Sequence, residues 1–235
     1  MKVAVIGAGT MGSGIAQAFA QTEGFEVILT DISLELAKKG QDRIANGLQK
    51  RVDRGKMEQE TADQINARIS IGSLEDCNEC DLVVEAVLEE ITVKKDIFKI
   101  LDSIAKPETI FASNTSSLSI TELAQGLNRP FIGMHFFNPA PVMKLVEVIP
   151  GLSTPPEVVN RVTEIAQKLG KTPVEVKESA GFVVNRILIP MINEAVGILA
   201  EGTASAEGID TAMKLGANHP MGPLELGDLV GLDVC

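Results

Sequence analysis

Cysteine is scarce. The 235-residue chain has three, an odd number, which argues against a disulfide framework and fits a reducing compartment. Cys77 and Cys80 do form a C-x-x-C, but no second Cys or His pair lies nearby to complete a metal set. Asp76, Glu79 and Asp81 crowd the pair, and neighbouring acids raise a thiol pKa, the opposite of what a redox centre needs. The pair reads as incidental, at the start of a strand, and no metal site is expected. Long uninterrupted hydrophobic runs are missing as well. The most apolar stretch, Phe182 to Ala200, contains Asn185, Arg186, Pro190, Asn193 and Glu194, each costly in lipid. It predicts no membrane span, but a helix buried on nearly all sides, within the protein or at a subunit contact. Met1-Lys2 passes at once into a short apolar strand and glycines, so no secretory leader and a cytoplasmic location are expected. Cations are outnumbered 21 to 32, and the net charge of -11 disfavours a nucleic-acid partner. Tryptophan and tyrosine are absent, and histidine is scarce, with two residues, His135 and His219. No internal repeat or low-complexity segment is evident.

What is present is enough apolar residue, 45%, for a full core. Lys2–Ile6 reads as a strand, "GAGTMGSG" (7–14) as a turn, the residues from Ile15 to Gly24 as a helix, and Glu26–Thr30 as a second strand. That is a βαβ unit. A charged helix follows over Leu34 to Lys56, another from about Gln59, then a strand near Arg68–Ile71. Leu82–Val87 is apolar enough for a buried parallel strand. A helix over Thr92–Ala105 and a strand over Thr109–Ala112 continue the alternation. Two strands from about Arg129, a helix over Pro156–Leu169 and a strand near Pro173–Val176 complete it. Such alternation predicts an α/β protein with a doubly wound sheet. After Ser179-Ala-Gly181 everything reads helical, including Phe182–Ala200 and Ser205–Leu215, with Ser205 as an N-cap. Two domains, 1–180 and 181–235, are expected, the second all-helical.

Gly7, Gly9 and Gly12 supply G-x-G-x-x-G between a strand and a helix, the context the motif requires. The first glycine permits the tight turn, the second lets backbone approach a pyrophosphate, and the third lets helix and strand pack closely. With Thr10 and Met11 they form a loop at a helix N-terminus, whose free N–H groups and partial positive charge suit phosphates. Asp31, 19 residues after Gly12 at the end of the second strand, would accept from the adenosine ribose hydroxyls. A 2′-phosphate would be repelled there, and Ile32 and Ser33 offer no cation, so NAD rather than NADP is the expected cofactor. Without a ligand, Asp31 would simply cap a helix.

"GMHFFNPAPVMKLVEVI" (133–149) places His135 in an apolar run and Glu147 on the following strand. A lone histidine in such a run is more often a satisfied core residue. Here it ends a strand before Asn138-Pro139, so it should point toward the cofactor crevice, and a short loop could fold Glu147 back to it. An enzyme that oxidises an alcohol needs a base for the hydroxyl proton, which histidine supplies near neutral pH.

"VIGAGTMGSGIAQ", "NTSSLSIT", "GMHFFNPAPVMKLVEVI", "SAGFVVNRIL" and "NHPMGPLELGDLVGLDV" together resemble the L-3-hydroxyacyl-CoA dehydrogenase family, over essentially the whole chain and in order. The resemblance implies a Rossmann-type sheet, NAD, an acyl-CoA substrate with short acyl chains, and a homodimer formed through the helical domain. It implies His135 as the catalytic base and Glu147 as its orienting partner. Ser116, beside Asn114 in "NTSS", would bond the substrate oxygen and the histidine. Asn185 would contact substrate, and Asn138 would sit near the nicotinamide ribose. Glu89 and Lys94, in "LEEITVKK", match positions beside the cofactor. Blander roles exist for several: Ser116 as a helix cap, Asn185 as a buried amide, Glu89 and Lys94 as solvated charges. His219, in a Pro- and Gly-rich turn, reads as structural. Family chains continue beyond the match to "GDLVGLDVC", so the helical domain is expected to be truncated relative to the family.

Between Lys38 and Lys56 lie seven cations and two acids, a local balance of +5. Lys39, Arg43, Lys50 and Arg54 share one helical face. This is either an ordinary solvated face or a patch for the phosphates of coenzyme A, with Lys50 and Arg54 the candidates. The reading is an oxidoreductase interconverting L-3-hydroxyacyl-CoA and 3-ketoacyl-CoA by hydride transfer with NAD. Its rivals are a dehydrogenase of a free hydroxy or sugar acid, and a non-catalytic nucleotide-binding structural protein.

Overall fold

The computed structural model describes residues 1–235, and the chain divides into two compact units, Met1–Ala180 and Gly181–Cys235. The first is built on an eight-stranded sheet of order β3-β2-β1-β4-β5-β6-β7-β8. Its strands are β1 (Lys2–Ile6), β2 (Glu26–Thr30), β3 (Ile69–Gly72), β4 (Leu82–Glu85), β5 (Ile110–Ser113), β6 (Phe131–Phe136), β7 (Leu145–Pro150) and β8 (Thr172–Glu175). Neighbours are parallel except β6 and β7, which run antiparallel. The order reverses between β1 and β4, the place where doubly wound sheets bind ligands at their carboxyl ends.

Helices cover both faces: α1 (Thr10–Ala20), α2 (Leu34–Asp53), α3 (Gln59–Ala67), α4 (Ile91–Ile104), the single turn α5 (Ile120–Leu123) and α6 (Pro156–Lys168). Strands β1, β4, β5 and β6 are buried on both sides, which is why they read as nearly continuous apolar runs. Their side chains join those of α1, α2 and α6 in one core, with Phe19 edge-on to Phe25 at 5.3 Å.

Several boundaries differ from the sequence expectation, each for a local reason. Strand β4 ends at Glu85 rather than Val87, because the Glu85 carboxylate takes the Val87 N–H at 2.7 Å and turns the chain out of the ladder. Helix α2 ends at Asp53, and Gly55 in the left-handed region (φ 65°) closes it, so Arg54 lies just past the helix. Cys77 and Cys80 belong to a short 3-10 helix (Leu74–Glu79) and its cap, not to a strand. The hydroxyl that caps α5 is Ser119, which accepts from Glu122 N–H; Ser116 lies upstream of it.

The second unit is three helices, α7 (Val184–Ala200), α8 (Ala206–Gly216) and α9 (Pro223–Val230). Ser205 caps α8 as expected, accepting from Gly208 N–H at 3.1 Å. The His219 N–H closes the turn after α8 onto the Met213 carbonyl. Of the two settings expected for α7, burial on nearly all sides within the chain itself is not what is found. Its fully buried residues are Ile192 and Ala195, while Ile187 (63% exposed), Val196 and Leu199 face outward. Helix α7 packs on α8 and α9 along a single stripe, which leaves its remaining apolar surface uncovered within this unit.

Candidate functional site

The site begins at the turn from β1 into α1. Gly7 has φ 98°, a backbone conformation other residues rarely adopt. A Cβ on Gly12 would lie 1.7 Å from the Gly7 carbonyl oxygen, so only glycine lets the first turn of α1 sit against β1. A Cβ on Gly9 would meet nothing within 4 Å; its backbone edge is open to a ligand. A groove of about 480 Å³ runs along this turn, lined by Gly7, Gly9, Thr10, Met11, Asp31, Ala86, Val87, Leu88, Glu89, Lys94, Asn114 and Ser116. All the cofactor positions read from the sequence line it, apart from Gly12, which is buried behind the turn, and Asn138, which is exposed after β6. A second, more apolar groove of about 680 Å³ shares Asp31, Val87 and Leu88 with the first and adds Ile32, Val93 and Ile97. An open backbone edge at a helix N-terminus, a carboxylate at the end of β2 and an apolar slot beyond it fit the pyrophosphate, ribose and adenine of a dinucleotide.

Asp31 also works within the fold. Its Oδ2 accepts from Ala8 N–H at 2.6 Å and its Oδ1 from Ile32 N–H at 2.7 Å, tying the glycine turn to the end of β2. Arg43 reaches the same turn from α2, donating to the Ala8 carbonyl and to Ser13 Oγ. Arg43 is therefore not part of a free basic face. Lys38 pairs with Asp42 and Lys39 with Glu35, both exposed, whereas Lys50 and Arg54 are solvent-exposed.

Behind the groove lies a charge cluster. Lys94 is 1% exposed, which excludes a solvated role; its Nζ is 2.6 Å from Glu85 Oε1 and 3.2 Å from Glu89 Oε2. Glu85, fully buried, also accepts from Ser113 Oγ at 2.6 Å and from Val87 N–H. Burial pushes the Glu85 carboxyl above the usual carboxylate range, although Lys94 and Ser113 oppose it. Glu89 goes the other way. Burial works to raise it, but the Thr115 hydroxyl, Lys94 and the Ser116 N–H together hold it below its ordinary value. Glu89 Oε1 accepts from Thr115 Oγ1 and, at 2.7 Å, from Ser116 N–H, so it grips the loop that carries Ser116. Neither Glu85 nor Ser113 was singled out from the sequence. A carboxylate closing an otherwise apolar strand, nine residues before a lysine, was the available signal.

At the carboxyl end of β6, His135 sits directly opposite Glu147 of β7 in the antiparallel register. Nδ1 of the imidazole lies 2.7 Å from Glu147 Oε2, and the two are 6% and 1% exposed. The strand pairing places them together: both point to one face because opposed residues share it. Phe137 tilts against the imidazole at 4.5 Å between centroids. Asn114, at the end of β5, accepts from Phe136 N–H at 2.8 Å and fixes the loop after β5 beside the end of β6. Buried Lys171 donates to the Ala140 and Met143 carbonyls, bracing the β6–β7 turn that includes Asn138; the sequence reading missed it. Asn185 lies in the first turn of α7, in the second unit.

Comparison with known proteins assigns both units. Residues 2–179 match the family model of the 3-hydroxyacyl-CoA dehydrogenase NAD binding domain, and residues 181–235 that of the C-terminal domain. The chain is 55% identical over 237 residues to a 3-hydroxybutyryl-CoA dehydrogenase of Clostridioides difficile, spanning 100% of this chain and 84% of that protein. It is 45% identical over 242 residues to the human mitochondrial hydroxyacyl-coenzyme A dehydrogenase, spanning 98% of this chain and 76% of that one. The crystal structure of (S)-3-hydroxybutyryl-CoA dehydrogenase from Ralstonia eutropha superposes with a TM-score of 0.95 at 48% identity, covering 99% of this chain and 83% of the other. The chain belongs to the 3-hydroxyacyl-CoA dehydrogenase family of NAD-dependent oxidoreductases.

Proposed function

We propose that this protein interconverts L-3-hydroxybutyryl-CoA and acetoacetyl-CoA, with His135 as the acid and base. The buried His135–Glu147 pair at a strand end, beside a glycine-turn groove, is the observation that carries this reading. Gly7, Gly9, Thr10, Met11 and Asp31 would hold NAD, which when bound would supply the acceptor for the hydride, and so for both electrons, that substrate C3 gives up. A carboxylate on Nδ1 favours the tautomer with its proton there and leaves Nε2 to take the hydroxyl proton. Glu147 then stabilises the imidazolium as it forms, without taking the proton itself. In the reverse direction the same nitrogen returns the proton to the substrate oxygen. Ser116 and Asn185 bond the substrate, Ser116 at the oxygen that gains or loses the proton, and Asn138 contacts the nicotinamide ribose. Asn114 shapes the same wall through Phe136.

The exposed cations Lys50 and Arg54 receive the coenzyme A phosphates, which an acidic protein elsewhere repels. The uncovered apolar surface of α7 belongs to a subunit contact, so the working form is a homodimer paired through residues 181–235. Three substrates test the assignment in one NADH-oxidation assay: acetoacetyl-CoA, acetoacetate and a longer 3-ketoacyl-CoA. Acetoacetyl-CoA should be fastest. Preference for acetoacetate would instead favour a dehydrogenase of free acids, and NADH binding with no turnover a structural role.

A further inference from the structure

The family resemblance places Glu89 and Lys94 beside the cofactor but gives no role to Glu85, the buried carboxylate that holds Lys94 from behind. Two carboxylates and one ammonium meet there, and Lys94 and Glu85 are almost completely removed from water. Burying such a pair is costly and is often matched by apolar residues of similar volume, so stability alone is a weak account of it. The bonds extend in one direction. Glu85, at the end of β4, holds Lys94 of α4; Lys94 holds one oxygen of Glu89, and the other oxygen receives the Thr115 hydroxyl and the Ser116 N–H. A second branch reaches the same loop: Ser113 Oγ donates to Glu85 Oε2 and accepts from Thr115 N–H at 3.2 Å. Both branches start at Glu85 and end on residues 115–116.

We propose that Glu85 is a positioning residue for the reaction, setting the Ser116 loop through Lys94 and Glu89. Glu85 touches neither substrate nor cofactor; its effect is geometric, on where Ser116 stands relative to the substrate oxygen. Displacements well under an ångström in such a group lower turnover more than binding, because the contact must be made in the transition state. The inference rests on the proposed role of Ser116 in the dehydrogenase reaction.

Two variants separate positioning from plain stability. Glu85→Gln leaves Lys94 with one carboxylate and should lower both Tm and kcat for acetoacetyl-CoA reduction, the latter at least tenfold. Glu85→Gln with Lys94→Met removes both buried charges at nearly constant volume, so Tm should return to within a few degrees of wild type. Glu89 is then without its lysine, and because Lys94 also lines the cofactor groove kcat is compared at saturating NADH, where it should stay at least tenfold down while the KM for acetoacetyl-CoA changes less than threefold. Recovery of kcat alongside Tm in the double variant overturns the proposal. If Glu85→Gln alone does not accumulate folded, the charge-neutral double variant carries the test unaided. Failure of the underlying reading is distinguishable, because it would appear in the wild type as NADH binding without acetoacetyl-CoA reduction.

Discussion

A single side chain in this site commonly holds two positions at once, and Asp31 is the clearest case. Its carboxylate lines the groove where the proposed cofactor's ribose would lie, yet it already accepts two backbone N–H groups of the fold. Asp31→Ala should therefore weaken NADH binding, narrow the preference over NADPH and lower Tm together. Leaving a partly buried donor without its acceptor costs about 1–3 kcal/mol. Parallel titrations with NADH and NADPH, and a thermal melt, check it; a wild type that prefers NADPH contradicts the assignment. Glu147 makes a simpler prediction. Glu147→Gln keeps the shape and removes the charge, so the loss should fall on kcat. In the proposed mechanism Glu147 acts through His135, so the double variant with His135→Gln should be far less impaired than the product of the two single losses. Multiplicative losses in the four-member kinetic cycle would mean that the two residues act independently.

At the level of elements, strand interiors were legible in the sequence and their ends were not. Lys2–Ile6 and Glu26–Thr30 read correctly because β1 is apolar throughout its buried length and a glycine or aspartate bounds each. The ends of β4 and α2 depend on a carboxylate taking the N–H two residues on and on one left-handed glycine, neither of which periodicity records. The His135–Glu147 pairing was legible because a short antiparallel return can oppose residues twelve apart. The Glu85–Lys94 pair was not, since a carboxylate closing an apolar strand nine residues before a lysine does not by itself tell a buried lysine from a solvated one.

Glu178 illustrates the same limit. Burial works to raise its carboxyl, but the Ser119 and Thr121 hydroxyls and the Thr121 N–H outweigh it and hold the pKa below the usual value. The folded pKa is thus depressed. Its stabilisation is fully present above the unfolded carboxylate pKa and is lost as pH falls through the folded value. Glu178→Gln should flatten the acid side of a Tm-against-pH curve and leave the region above pH 7 with a constant offset. An acid limb parallel to wild type would contradict this.

For the whole molecule, the distribution of charge is the property that bears on the proposed substrate. Under the proposed function, a chain of net charge -11 must still attract a substrate carrying several phosphates. Lys50→Glu with Arg54→Glu should raise the KM for acetoacetyl-CoA several-fold at low salt and leave NADH affinity nearly unchanged; the effect should shrink as salt screens it. An unchanged low-salt KM returns both cations to an ordinary solvated face. The proposed reaction itself depends on the proton passing through one imidazole. The decisive measurement is kcat for NADH oxidation with acetoacetyl-CoA in folded His135→Gln protein, alongside NADH binding followed by nucleotide fluorescence. The account predicts a kcat about 10²–10⁴-fold below wild type, the usual contribution of a positioned acid or base, with NADH binding retained. A kcat near the wild-type value would contradict it and leave the His135–Glu147 pair a feature of packing alone.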